Sequence, residues 1–159
     1  MEYYLRKVAI LDLFESNNNY NINLFEGCNC IYGSNGTGKT TIINLIVSSL
    51  NSDFEQLYKI PFSSITIYIS KSKQRRLYKL LTVSKSFSKT SNSTTITVEV
   101  NKSTVHTLEI KSKNEISKIK EKFDGLKDEI KESINNKINL THVPLLRMHD
   151  SDFISNRAE

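Results

Sequence analysis

The chain has 159 residues and a mass of 18.2 kDa, with 38% hydrophobic and 25% charged residues. That composition fits one domain, or part of a larger one, and excludes a disordered chain. A net charge of +5 and a pI near 9.1 permit a polyanionic partner without requiring one. No apolar run is long enough to span a bilayer. The start, MEYYLRKVAILDLFES, interrupts its short apolar part with charge, and no small-residue cleavage site follows. Two cysteines without a secretory signal point to a reducing, cytoplasmic setting and not to a disulfide scaffold.

In chain order, residues 3–14 carry β-branched and aromatic residues in a strand-like pattern. Ser16 to Asn19 is a polar turn, residues 20–24 read as a short strand, and residues 28–32 (CNCIY) as a buried strand. A glycine-rich stretch, 33–38, leads into KTTIINLIVSSL. There Ile42, Ile43, Leu45, Ile46 and Leu50 form one broad apolar face at helical spacing. Residues 51–61 read as a connector ending at Pro61.

From residue 62 to 110 the period falls to two. The runs 64–70, 76–84, 94–100 and 104–110 read as strands of an antiparallel meander, separated by polar loops. Residues 114–138 read as an amphipathic helix with Ile116, Ile119, Phe123, Leu126, Ile130, Ile134 and Ile138 on one face. Ser112 and Glu115 form a capping box before it. A strand is expected within 138–146, and a polar tail ends the chain.

The sharpest chemical signal is GSNGTGKT, residues 33–40. It fits the G-x-x-x-x-G-K-[ST] spacing of the phosphate-binding P-loop, or Walker A motif. Gly33, Gly36 and Gly38 allow turns that a side chain blocks. Backbone N–H groups then converge on phosphate oxygens at the positive end of the following helix. Lys39 is placed to reach the β- and γ-phosphates of ATP or GTP as a point charge. The Thr40 hydroxyl is placed to ligate Mg²⁺, and Thr41 to meet the α-phosphate. The expected nucleotide-binding set is Gly33, Ser34, Asn35, Gly36, Thr37, Gly38, Lys39, Thr40 and Thr41. The competing reading is an ordinary glycine-rich β–α turn with an exposed lysine.

The string NCIYGSNGTGKTTIINLI resembles the nucleotide-binding head of ABC-type ATPases, closest to the SMC-like and RecF-like branch within the AAA ATP-binding families. The resemblance lies in the N-G-x-G-K-T-T loop and in the order of elements around it. It implies an α/β P-loop fold, with a mixed sheet around the P-loop helix, an antiparallel β region and one long amphipathic helix. It also implies ATP and Mg²⁺ as cofactors and ATP hydrolysis by the assembled enzyme. The biological setting it implies is DNA repair, chromosome maintenance or phage defence. The resemblance covers the N-terminal lobe of such a head, over 1–159. Residues 1–50 would hold the first strands, loop and helix, 62–110 the β region, 114–138 the helix, and 139–159 a strand and tail.

The other motifs of such a head are missing. Gln56 and Gln74 come too early for a glutamine loop, and there is no LSGGQ-like string. The segment LLRMHDSD (145–152) is a poor Walker B candidate, because Arg147 and His149 interrupt the buried strand that motif needs. His149 is an equally poor switch histidine. The expectation is a chain that stops before the second half of a head, binds nucleotide alone and hydrolyses it slowly or not at all. The expected partner is a second ATPase head or a missing C-terminal half.

Other positions keep two readings each. The resemblance places Asn35 near the γ-phosphate; turn geometry alone also accounts for it. Arg6 and Lys7 lie on the first strand, where relatives often contact nucleotide, but the favoured reading is solvated edge charges. Gln56 to Val98 holds no acidic residue but contains Lys59, Lys71, Lys73, Arg75, Arg76, Lys79, Lys85 and Lys89. Within it, Lys71, Lys73, Arg75 and Arg76 are candidate DNA contacts, with Tyr68 and Tyr78 as possible stacking residues. A solvated hairpin face is the alternative. Cys28 and Cys30 read as core packing and not as a zinc site. Rival functions are a non-catalytic nucleotide-binding interaction module, a basic DNA-binding fragment and, less favoured, a small-molecule kinase.

Overall fold

A computed structural model describes residues 3–15, 17–101 and 104–111, with positions 128, 130, 132 and 134. Strands β1 (Tyr3–Leu13), β2 (Asn18–Asn23), β3 (Ser64–Lys71), β4 (Tyr78–Ser88), β5 (Ser93–Val100) and β6 (Thr104–Ile110) form one sheet in the order β2-β1-β3-β4-β5-β6. Every neighbouring pair is antiparallel. Two helices, α1 (Lys39–Asn51) and α2 (Phe54–Lys59), lie between β2 and β3 in the chain. The fold is therefore mixed α/β.

The period-two pattern explains the sheet. Val8 and Ile10 of β1 stand opposite Ile67 and Ile65 of β3, which stand opposite Leu81 and Val83 of β4, and all six are buried. Leu81, Val83 and Ile96 in turn face Val100, Val98 and Leu108 across the remaining ladders. This row buries one face of the sheet. The other face carries hydroxyls, and Thr66 Oγ1 meets Thr82 Oγ1 at 3.2 Å. Ile42, Leu45 and Leu50 of α1 and Phe54 and Leu57 of α2 join the apolar side. Each such side chain contributes roughly 1.5–3 kcal/mol on burial.

Positions 128, 130, 132 and 134 are helical, with Ile130 and Ile134 buried in the same core and Asp128 and Glu132 exposed. The rest of the predicted helix 114–138, the strand at 138–146 and the segment 145–152 lie outside the described residues.

The expectations differ from the structure at two places. Residues 51–61 hold a short helix, α2, started by Asp53, whose carboxylate accepts from Gln56 N–H at 3.2 Å. Residues 28–32, expected as a buried strand, pair with nothing among the described residues and are exposed throughout. Cys28 and Cys30 are exposed free thiols, not core residues. Among the described residues β1 has both edges taken, by β2 and β3, and no strand lies on the outer edge of β2 or of β6. An apolar run becomes a buried strand only where a neighbouring strand offers its edge. The sheet among the described residues is accordingly antiparallel rather than mixed, and it joins the N-terminal strands to the meander without a break.

No helix among the described residues is long and apolar enough to cross a membrane.

Candidate functional site

The segment between β2 and α1 runs from one end of β1 to the other. At its start, Leu24 N–H donates to Arg6 O at 2.9 Å. At its end, Gly38 lies against the ring of Phe14, just beyond β1. Asn29 closes the first bend: its Oδ1 accepts from Phe25 N–H at 2.8 Å, and its Nδ2 donates to Phe25 O at 2.8 Å. An extended stretch then delivers the glycine loop to the start of α1.

Within the loop, Lys39 turns back on its own chain. Its Nζ donates to Gly33 O at 2.8 Å and to Ser34 O at 2.6 Å, and Thr37 Oγ1 donates to Ser34 O at 2.9 Å. These bonds collect the loop carbonyls on the ammonium. Among the described residues, no backbone carbonyl accepts from the amides of residues 34–41; the first such bond is Ile42 N–H to Gly38 O, at 2.9 Å. Gly36 and Gly38 have φ of 81° and 82°. That conformation disfavours any side chain. Gly38 is doubly constrained, because a Cβ there would stand 2.8 Å from Phe14 Cε2.

The helix end is uncapped. Gly38 supplies no side-chain cap, and the first turn of α1 holds no acidic residue. Unpaired N–H groups at a helix N-terminus, with the positive end of its dipole, favour an anion. Ser34, Asn35, Gly36 and Thr37 are exposed, Thr40 is exposed on the first turn, and Lys39 and Thr41 are half-buried. The loop brings all nine sequence-predicted residues together. It contains no general base, and among the described residues no cluster of His, Cys, Asp or Glu gathers as a metal site.

Arg6 and Lys7 are not part of this arrangement. Arg6 donates to Leu24 O and stacks over Phe25, with Cζ 5.4 Å from the ring centroid. Lys7 stands opposite Tyr68 on β3. Both sit toward the start of β1, roughly 25 Å from its Phe14 end at about 3.3 Å per residue.

The basic residues sort by partner. Lys59 pairs with Glu55 at 2.6 Å, and Lys79 with Glu99 at 2.7 Å. Lys85 turns inward and donates to Leu57 O at 3.3 Å, to Tyr58 O at 3.1 Å and to Ile60 O. Lys89 is exposed in the β4–β5 turn. The other four charges gather at the β3–β4 hairpin, beside the start of β1, where Tyr3 pairs with Lys71. Lys71 Nζ lies 5.4 Å from the Tyr3 ring, and Arg76 Cζ 5.2 Å from the Tyr78 ring. The two rings meet edge-on at 6.2 Å. Lys73 and Arg75 are exposed beside them. This cluster and the glycine loop occupy opposite ends of β1.

Sequence reasoning missed the contact of Phe14 with the loop and the inward turn of Lys85 toward residues 57–62. Phe14 gave no signal, because its contact with Gly38 crosses 24 residues of chain. Lys85 gave a faint one: it shares the strand parity of Leu81 and Val83, which puts a cation on the core face.

The family model described as AAA domain matches residues 11–156 of the chain. No curated protein matches it.

Proposed function

The chain belongs to the AAA domain family, and from this we propose that it binds Mg²⁺–ATP at residues 33–41, as the N-terminal lobe of an ABC/SMC-like ATPase. The family supports a nucleotide-binding, ATPase-like function. The observation that carries the finer reading is the loop itself: amides 34–41 without backbone acceptors, an uncapped helix end and Lys39 converge on one place. On phosphate binding, the Lys39 ammonium exchanges the carbonyls of Gly33 and Ser34 for phosphate oxygens. The loop amides hold the remaining oxygens. Thr40, at the first turn, is the residue that would supply a hydroxyl to Mg²⁺.

The cradle binds and orients phosphate, but in-line attack by water also needs a group that positions the water. A complementary lobe, from this or another chain, would bring that group. Segment 28–32, which pairs with no strand among the described residues, favours such docking: Ile31 and Tyr32 are 38% and 94% exposed immediately before the loop. A strand added beside them would pair the backbone.

Titration of the purified chain with ATP and Mg²⁺ by calorimetry tests the reading. Lys39→Ala is expected to weaken binding by about ten- to a hundred-fold, the worth of one charge-assisted hydrogen-bond set. Unchanged affinity would overturn the assignment.

The hairpin supports a second interaction, with DNA, through Lys71, Lys73, Arg75 and Arg76. The supporting observation is four clustered cations, two of them, Lys71 and Arg76, braced by tyrosines, in a region where Gln56 to Val98 has no carboxylate. Arg75→Ala with Arg76→Ala is expected to lower the salt dependence of DNA binding by about one for each phosphate no longer neutralised. A salt slope equal to that of the unaltered chain would exclude the hairpin.

A further inference from the structure

We infer that Lys85 is a positioning residue of the glycine loop, acting through the β1–β2 turn without touching the loop itself; this rests on the reading of that loop as a phosphate cradle. Lys85 stands on β4, on the core face of the sheet. Its ammonium reaches across to the segment that leaves α2, and bonds the carbonyls of Leu57, Tyr58 and Ile60. It also lies 5.0 Å from the ring centroid of Phe62. Its backbone N–H donates to Ser63 O at 2.8 Å. One residue therefore grips residues 57–63 by both its ends.

That segment holds the β1–β2 turn in turn. Phe14 N–H donates to Pro61 O at 2.9 Å, Ser63 N–H to Leu11 O at 3.0 Å, and Ser63 Oγ to Asp12 Oδ2 at 2.9 Å. The turn needs such ties. Asp12, Phe14, Glu15 and Asn17 all have positive φ, between 53° and 66°. Left-handed backbone at four non-glycine residues persists only where its surroundings hold it. What the ties deliver is the Phe14 ring, set against Gly38 where even a methyl group would collide. The ring closes one side of the loop at the residue that begins α1.

A plain structural role for Lys85 would lower stability and leave the loop alone, so the test reads the loop directly. The variants are Lys85→Met, Lys85→Arg, Phe14→Ala and a remote core control, Val98→Ala, each in the full chain. The readouts are the Gly38 amide resonance, melting temperature and ATP affinity. Lys85→Met is expected to move the Gly38 resonance and to weaken ATP binding about two- to thirty-fold, as for residues that couple to a site without contacting it. Lys85→Arg should keep the resonance near its original place. Val98→Ala should lower the melting temperature and leave the resonance unchanged. Phe14→Ala removes an exposed ring, threatens folding little, and should reproduce the Lys85→Met shift; combined with Lys85→Met it should add nothing further.

An unmoved Gly38 resonance in Lys85→Met, or in Phe14→Ala should the lysine variant fail to fold, would overturn the inference. Simple addition of the two effects would do so as well. The resonance needs no nucleotide, so failure of ATP binding in the unaltered chain would strike the cradle reading and leave this result separately legible.

Discussion

Gly38 shows how much one position can carry. Its φ of 82° lies where alanine is strained, and the Phe14 ring fills the space a Cβ would take. Gly36 shares the conformation, with φ of 81°, but a methyl group there would meet nothing within 4 Å. The two glycines therefore separate strain from crowding. Gly38→Ala is expected to cost about 1–2 kcal/mol in backbone strain alone, plus displacement of Phe14. Gly36→Ala should show the backbone cost alone. Chemical denaturation of both variants measures the difference, and equal losses would remove the ring from the account.

At the scale of elements, the junction of α1 and α2 combines a strained residue with a helix start. Helix α1 ends in a left-handed residue, Ser52, with φ of 53° and ψ of 42°. Its N–H returns to Ser49 O at 3.4 Å, and Asp53 N–H to Ser48 O at 2.8 Å. This is the position where helices favour glycine. Ser52 is also buried, and its Oγ has no hydrogen-bond partner among the described residues. Both observations point the same way. Ser52→Gly is expected to stabilise the chain by about 0.5–1 kcal/mol, through relief of the left-handed conformation and of a buried hydroxyl. A lowered unfolding midpoint would refute that. Asp53 then starts α2 with a side-chain cap, so the two helices are joined without a loop.

The same scale shows which elements were legible in the chain. Strand β1, the meander and α1 follow from periodicity, because alternation and the 3.6-residue stripe both survive into the fold as buried faces. The start of α2 was written in Asp53, Phe54 and Leu57, but six residues are too few to show a period. Residues 28–32 had the composition of a buried strand and meet no partner strand among the described residues. Composition reports what a segment can do; pairing depends on edges supplied from elsewhere in the chain.

At the scale of the whole molecule, stability acquires a pH dependence from Lys85. Burial lowers its pKa from 10.5 to about 8, and the Glu15 carboxylate acts in the opposite sense. The unfolded chain therefore holds a proton at this site between pH 8 and 10.5 that the folded chain has released. Stability contributed by this group rises with pH across that window, and below pH 8 the buried charge carries its full cost. Comparing unfolding of the unaltered chain with Lys85→Met at several pH values isolates the effect. The difference between the two should grow in favour of the unaltered chain from pH 8 to 10.5. A flat difference would mean that Lys85 titrates at its ordinary pKa.

The sheet also sets the large-scale arrangement of the candidate sites. Its strand β1 carries the glycine loop at one end and the tyrosine-braced cations at the other. Nucleotide and polyanion, as proposed, would meet opposite ends of one strand and would not compete.

The sequence by itself determined the glycine loop, since the positive φ at Gly36 and Gly38 needs only glycine at a fixed spacing. Local steric rules suffice to write it. It also determined that β1, the meander strands and α1 would form, because their burial patterns repeat along the chain. Only the tertiary structure decided that Phe14 lies on Gly38, that Lys85 turns inward while Lys71 and Arg76 gather outside, and that residues 28–32 pair with no strand among the described residues. Each of these depends on contacts between residues far apart in the chain, set by the order of strands in the sheet, and no local pattern encodes that order.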